Sequence, residues 1–324
     1  MDRLLKKDNK KKKFKLFDLN KDGKGAVEEN RKPTFGFFFK LLWRKLPNLL
    51  QLNLLMIFQI VPLIVVIAVY LMGEKSPSAT NVLFAPLYGI NRIAQTPDTL
   101  PVLDLASIQM GLPVFSPAVT WTVLVLFLIL IVTWGWQNVG ATYILRGLVR
   151  GDAVFTFSDF FYAIKKNLKQ GFILGLIDFA VIATLVVDFI FFYNKTGAFG
   201  FDFMYFMIFA LAIIYFIMRF YIYLLLVTFD LKTFKIIKNA LIFSILGIKR
   251  NILAFLGIIF LAVIHIALTI LLLPLGISLP LILPVVYAMA TTAFMSAYAA
   301  YPIIDKYMIA PYAEEKDDEE DDED

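Results

Sequence analysis

Residues 138–178 decide the fold of this chain: NVGATYILRGLVRGDAVFTFSDFFYAIKKNLKQGFILGLID. This stretch follows an apolar run at 121–136 and leads into another. Between the two runs, basic residues alternate with apolar residues at helical spacing, the pattern of an amphipathic helix at a membrane surface. We expect Ser158 and Asp159 to cap this helix, because short oxygen side chains accept the free N–H groups of a first turn.

Composition places the chain among α-helical membrane proteins. Of its 324 residues, 60% are hydrophobic, and the mean hydropathy of +0.75 lies outside the range of soluble domains. Several apolar runs are long enough to cross a bilayer core of about 30 Å. The predicted fold class is therefore all-α, a polytopic membrane protein with six transmembrane helices and amphipathic cytoplasmic helices. The predicted spans are residues 49–72, 118–137, 171–193, 204–228, 252–273 and 280–303.

Lysine and arginine orient the predicted spans. They concentrate before the first span and between alternate spans, which predicts a multi-pass plasma-membrane protein with both termini cytoplasmic. We see no cleavable signal peptide, because about forty residues precede the first apolar run. The predicted regions are a basic cytoplasmic tail with an interfacial helix (1–48), a membrane domain (49–303) with a long extracellular loop (74–117) and two cytoplasmic amphipathic segments (142–169 and 230–250), and an acidic disordered tail (304–324).

Charge is distributed unevenly along the chain. Residues 314–324 contain ten acidic side chains and one lysine, a net of −9, so the rest of a chain whose total is +5 carries +14. Positive charge beside membrane spans indicates a partner in anionic lipid rather than in nucleic acid. The two cytoplasmic segments also resemble each other, since KKNL at 165–168 and KRNI at 249–252 stand at equivalent places before a span.

The residues available for chemistry are few. The chain has no cysteine and a single histidine, His265, which excludes thiolate sites and disulfides. No nucleophile–base pair, paired carboxylates or phosphate-binding glycine loop is present. We therefore predict that the protein is not an enzyme and needs no cofactor.

Ionisable residues inside spans are costly in lipid and normally face a partner. Asp178 lies about 10 Å and Arg219 about 13 Å from the inner ends of consecutive spans, at 1.5 Å per residue. We predict an intramembrane pair of Asp178 and Arg219. The pair either fixes the register of two helices or forms a polar point on a solute path.

A calcium-binding pattern lies ahead of the first span. The spacing D-x-N-x-D-G-x5-E is complete and is that of an EF-hand loop. However, Gly25 stands where such loops carry an apolar residue, and Lys21 and Lys24 oppose a cation. A glycine-rich turn before the membrane explains the same residues. The potential metal ligands are Asp18, Asn20, Asp22 and Glu29.

Two stretches resemble the YesL family of Gram-positive integral membrane proteins. They are DGKGAVEEN followed by PTFGFFFKLLWRKLPNLLQLNLLM, and LRGLVRGDAVFTFSDFFYAIKKNLKQ. The resemblance implies about six spans and a plasma-membrane partner of carbohydrate ABC importers, with no defined biochemical activity. The chain lacks the E-A-A-x3-G coupling loop of importer permeases.

Three functional hypotheses remain open at this point. The first is a non-enzymatic accessory or assembly partner of a carbohydrate ABC importer, the second a transporter or permease component acting through Asp178 and Arg219, and the third a calcium-responsive membrane protein using residues 18–29. The accessory role would use the first cytoplasmic segment as its partner-facing surface. The residues of that surface are Arg146, Arg150, Asp159, Phe160, Lys165, Lys166, Asn167 and Lys169.

Overall fold

Long apolar helices make up most of the computed structural model, which describes residues 33–72, 77–78, 109–110, 116–195, 197–277 and 279–311. The α-helices are α1 (Phe35–Arg44), α2 (Leu46–Met72), α3 (Pro117–Arg150), α4 (Thr156–Lys166), α5 (Leu168–Tyr193), α6 (Phe199–Thr228), α7 (Thr233–Leu246), α8 (Ile248–Leu272) and α9 (Leu279–Ile304). Five of them are long and apolar enough to cross a membrane, or six if the two bent pieces of α2 count as one span. The predicted fold class is confirmed.

Helix α2 bends by 51° between Leu46–Ile57 and Gln59–Val66. The cause lies four residues beyond the break, at Pro62. A proline has no N–H for the carbonyl four residues earlier, and its ring crowds that carbonyl. For Pro62 the affected carbonyl belongs to Phe58, which is where the two pieces separate.

The connection between α2 and α3 contains a short antiparallel pair. β1 (Pro77–Ser78) and β2 (Gln109–Met110) pair with Pro77 opposite Met110. Ser116 and Pro117, at the end of the predicted extracellular loop, already form the cap and the first residue of α3. The remainder of that loop lies outside the described residues, as does the proposed calcium loop at 18–29. The predicted acidic tail begins too early, because α9 continues into a π-helical turn, Asp305–Ile309.

Helices α3 and α5 approach closely through glycines. Gly171 and Gly175 lie one turn apart on α5 and face Gly135 on α3, so that a Cβ on Gly175 would collide with the backbone of Gly135. Small residues four apart allow helix backbones to come into contact in a membrane, where dispersion rather than hydrophobicity drives association. This contact places the middle of α5 directly against α3.

Helix α3 is longer than the sequence predicts. It continues without a break to Arg150 and ends at Gly151, whose φ of 88° forms a left-handed cap. Residues 142–150 therefore belong to the long α3 helix and are not part of a separate amphipathic segment. The shorter helix α4 carries the rest of the predicted 142–169 segment.

Of the two residues predicted to cap α4, Ser158 does not cap it and Asp159 does. The helix begins at Thr156, two residues before Ser158, so Ser158 lies inside its first turn. The capping oxygen belongs to Asp159, whose Oδ2 accepts the backbone N–H of Phe155 at 2.8 Å. A carboxylate there also suits the positive end of the helix dipole.

A second unit repeats the element order of the first: α6 and α8 flank the short helix α7. The corner of this unit, where α7 meets α8, is buried around Asn251. The Asn251 Oδ1 accepts a hydrogen bond from the Tyr221 hydroxyl at 2.7 Å, and its Nδ2 donates to the carbonyl of Ser244 at 2.9 Å. Gly247 allows this packing, because a Cβ there would collide with the Tyr221 hydroxyl. One side chain thus connects three helices.

Arg250 joins α8 to α9 where Pro302 interrupts the α9 hydrogen bonds. Pro302 has no N–H for the Tyr298 carbonyl, and Arg250 Nη2 donates to that carbonyl at 3.0 Å. Arg250 Nε donates to the neighbouring carbonyl of Ala299 at 3.1 Å. The guanidinium therefore replaces a missing backbone donor.

Candidate intramembrane binding site

Asp178 is the centre of a hydrogen-bonded cluster inside the helix bundle. Its side chain is 1% exposed. Trp134 Nε1 donates to its Oδ2 at 2.8 Å, the Tyr223 hydroxyl donates to Oδ2 at 2.9 Å, and the Tyr215 hydroxyl donates to Oδ1 at 2.8 Å. Arg219 Nε lies 2.9 Å from Oδ1 and 3.2 Å from Oδ2. The structure thus brings the predicted pair together and adds three donors to it.

The spacing of residues on α6 explains the cluster. Tyr215, Arg219 and Tyr223 recur every four residues, which places them on one face of a helix. That face meets α5 at Asp178. Trp134 comes from α3, which the glycine contact holds against α5. Neither the two tyrosines nor the tryptophan was predicted from the sequence, although the Y-x3-R-x3-Y spacing was available as a signal.

The four donors occupy the acceptor sites of the Asp178 carboxylate, which has about four lone-pair positions. Arg219 is in a different situation. It uses only Nε on Asp178, and its Nη1 and Nη2 groups find no hydrogen-bond partner among the described residues. Its side chain remains 25% exposed, with the guanidinium carbon 5.7 Å from the centre of the Trp134 ring.

A cavity of about 540 Å³ lies beside this cluster. Its walls come from α2, α3, α6, α8 and α9, and most of its lining is apolar. Arg219 and Tyr223 line it, whereas Asp178 does not. The other polar side chains of the wall are Gln59, Asn138, Thr142, Thr292 and Ser296.

Gln59 is the second unsatisfied polar group at this cavity. It is 2% exposed, and its Oε1 has no hydrogen-bond partner in the part of the chain that the structure describes. It lies at the start of the second piece of α2, directly after the bend. A buried acceptor without a donor typically costs about 1–3 kcal/mol.

Comparison with known families identifies one segment. Residues 118–189 match the family model described as "Protein of unknown function, DUF624". YesL-type proteins belong to this family, which supports the resemblance at the level of the matched segment. No curated protein matches the chain, and no solved structure matches it either.

The DUF624 segment includes α3, α4 and most of α5. It therefore contains Asp178 and Trp134, the carboxylate and one of its donors. Arg219, both tyrosines and Gln59 lie beyond it. The match thus covers one side of the candidate site.

Two residues of the predicted partner-facing surface point into the protein. Arg146 lies on α3, and its Nη1 donates to the Val227 carbonyl of α6 at 2.5 Å. Phe160 is 3% exposed and packs against the notch that Gly140 leaves in α3. Their assignment to an exposed surface is wrong. The end of α6 accepts a hydrogen bond from Arg146, and α3 packs against the ring of Phe160.

The other residues of that surface remain accessible to differing degrees. Lys165, Lys166 and Lys169 are exposed. Arg150 pairs with Asp152 at 3.5 Å, and the Asn167 Nδ2 donates to the Ala163 carbonyl at 3.0 Å. Asp159 caps α4, as described above. The accessible part therefore comprises Arg150, whose side chain is 47% exposed, and a ridge of three lysines where α4 meets α5.

The described residues offer no group of three or more metal-ligating side chains. His265 Nδ1 lies 3.2 Å from the Tyr287 hydroxyl, between α8 and α9. This contact is the interhelical hydrogen bond that a lone membrane histidine most often makes.

Proposed function

We propose that this protein is a non-enzymatic membrane component of a solute-transport system and binds its solute in the cavity beside Asp178 and Arg219. The supporting observation is the cavity itself, about 540 Å³, with the unused donors of Arg219 and the unused acceptor of Gln59 on its wall. Such a volume suits a small molecule. A bound solute with both an acceptor and a donor would supply the missing hydrogen-bond partners of both groups.

The bend of α2 at the cavity favours transport over a purely structural role. Helix α2 bends at Phe58, and α9, although continuous, carries at the cavity wall Pro284, which has no backbone N–H. Transporters commonly form their binding sites at irregular helices near the membrane midplane. A pair that only fixed helix register would require neither the cavity nor the bend.

Cysteine labelling tests the proposal directly, because the chain contains no cysteine. Ala297 and Ala300 lie one turn apart on α9 and are both buried, but only Ala297 lines the cavity. In membranes, Ala297→Cys should react with a small neutral methanethiosulfonate, and Ala300→Cys should not. Failure of Ala297→Cys to react would show that no solute reaches the cavity.

A second candidate is the accessory role in a carbohydrate ABC import system that the YesL resemblance implies. The exposed ridge of Lys165, Lys166 and Lys169 favours it, since a soluble partner could bind there. Recovery of an ATPase and a permease with the tagged protein from native membranes would support it. Changing the three lysines to glutamine should then abolish that recovery while leaving the labelling of Ala297→Cys intact.

The proposed orientation, with both termini cytoplasmic in the plasma membrane, has its own test. Ser158 is exposed on α4, at the basic end of the bundle. In intact cells, Ser158→Cys should resist an impermeant thiol reagent and react after the membrane is opened. Asn194, exposed between α5 and α6, provides the opposite case, since Asn194→Cys should react from outside. The reverse pattern would overturn the orientation.

A further inference from the structure

We infer that the ligand of the central cavity carries an anionic group, a carboxylate or a phosphate, which binds Arg219, and beside it a hydroxyl or ammonium donor, which binds Gln59. This inference rests on the proposed function and names the chemistry of its solute.

The cationic member of the pair is the one that faces the cavity. Asp178 is buried behind Trp134, Tyr215 and Tyr223, which donate to both of its oxygens. Its charge is therefore satisfied away from the cavity, and the carboxylate does not line the wall. Arg219 does, so the ion pair is neutral as a whole but presents positive charge and free N–H groups to a ligand.

The geometry of the guanidinium favours an oxyanion. Its Nη1 and Nη2 groups can donate two parallel hydrogen bonds to a carboxylate or phosphate. The hydrogen bond from Nε to Asp178 and the cation–π contact with Trp134 hold the guanidinium in place. Such preorganisation lowers the entropy lost on binding.

Gln59 restricts the second group of the ligand. Its Oε1 is buried and can only accept a hydrogen bond, so the matching ligand group must donate. A hydroxyl or an ammonium fulfils this requirement, whereas a second carboxylate would be repelled. Because most of the remaining wall is apolar, the body of the ligand is small or apolar.

Two sources could supply this chemistry: a soluble hydroxy or amino acid or phosphate compound, and the phosphate of a lipid headgroup. Protection experiments on Ala297→Cys distinguish them. In nanodiscs of phosphatidylcholine, protection from the neutral reagent by glycolate or inorganic phosphate identifies a soluble anion. Slower labelling in phosphatidylglycerol nanodiscs, with no added solute, identifies a headgroup. Absence of both effects would overturn the inference.

Charged reagents separate this inference from the proposed function. For Ala297→Cys, the anionic sulfonatoethyl reagent should react about 10-fold faster than the cationic trimethylammonioethyl reagent, after each rate is divided by its rate at exposed Asn194→Cys; tenfold corresponds to about 1.4 kcal/mol. Reaction with the neutral reagent but without this anionic preference would overturn the inference and leave the function standing. No reaction with any reagent would overturn both.

Variants assign the preference to the two residues. Asp178→Asn with Arg219→Gln removes both charges and should abolish the anionic preference, whereas Arg146→Gln, a half-buried cation outside the cavity, should retain it. Gln59→Met removes the unpaired acceptor and should leave the thermal midpoint equal or higher. Glycolate differs from acetate by the hydroxyl that would donate to Gln59. The Gln59→Met variant should therefore abolish the advantage of glycolate over acetate in protecting Ala297→Cys. Retention of that advantage would overturn the role of Gln59.

Discussion

The two span–corner–span units, α3–α4–α5 and α6–α7–α8, share an order of elements but differ in how their long helices meet. In the first unit, Gly135, Gly171 and Gly175 bring α3 and α5 into backbone contact. In the second, α8 packs chiefly against α9 instead of closing on α6. The long helices of the first unit therefore close on each other, whereas α6 and α8 do not; α3 of the first unit and α6 and α8 of the second all contribute to the cavity wall.

The difference matters because each unit supplies one charge. The first unit holds Asp178 and the first of its donors, Trp134. The second unit supplies Arg219 and two tyrosines from α6 and leaves the guanidinium partly accessible. The first unit thus fixes the position of the buried Asp178 carboxylate, and the second presents the positive charge of Arg219 to a solute. The predictions below test this division, beginning with the largest expected effect.

Removing the carboxylate alone should have the largest effect. Asp178→Asn leaves the Arg219 guanidinium without its anion inside the bundle, and breaking a buried pair costs about 3–5 kcal/mol. We expect a lower yield and a markedly lower thermal midpoint in detergent. Asp188→Asn, on the same helix but half-buried near its other end, is the matched control and should change little. Equal effects of the two changes would contradict the central position of Asp178.

A pair of glycine substitutions tests the contrast in packing. Gly175→Ala should destabilise the protein by about 1–3 kcal/mol, because the added methyl group has no space against α3. On α8, a Cβ at Gly257 would meet only the sulfur of Met295, at 3.7 Å. Gly257→Ala should be neutral or stabilise by up to about 1 kcal/mol, since alanine favours the helix. The thermal midpoints of the two variants measure the difference, and similar midpoints would break the comparison.

Asn251, where α7 meets α8, and Asn167, where α4 meets α5, should differ less in their effect on stability. Asn251→Ala leaves the Tyr221 hydroxyl and the Ser244 carbonyl without a partner in a buried place, and should cost about 1–3 kcal/mol. Asn167→Ala, in the matching KKNL motif, should cost less than about 0.5 kcal/mol, because water can reach that partly exposed corner. Chemical unfolding in detergent would check both values. A larger loss at Asn167 would reverse our description of the corners.

Sequence reasoning predicted the spans well, because long apolar runs have few alternatives in a membrane protein. Counting residues from the predicted helix ends also predicted that Asp178 and Arg219 lie at a similar depth in the membrane. It could not show which other helix faces meet there, so Trp134, Tyr215 and the position of Gln59 at the cavity wall were missed.

The errors have a related cause. Arg146 was placed on an exposed surface because it lies near other cations, yet its side chain turns to a carbonyl at the end of α6. Phe160 was placed there because of its neighbours in sequence, although Gly140 on another helix leaves space for its ring. Both outcomes depend on helices that are distant in the chain.

The most direct test of the account is a double-mutant cycle on Asp178 and Arg219. Asp178→Asn and Arg219→Gln should each lower the stability in detergent, and the combined variant should recover much of the loss because neither charge is then stranded. We predict a coupling free energy of about 2–3 kcal/mol, within the range for residues in contact. Additive losses would contradict the account, since they would show that the two units do not meet through this pair.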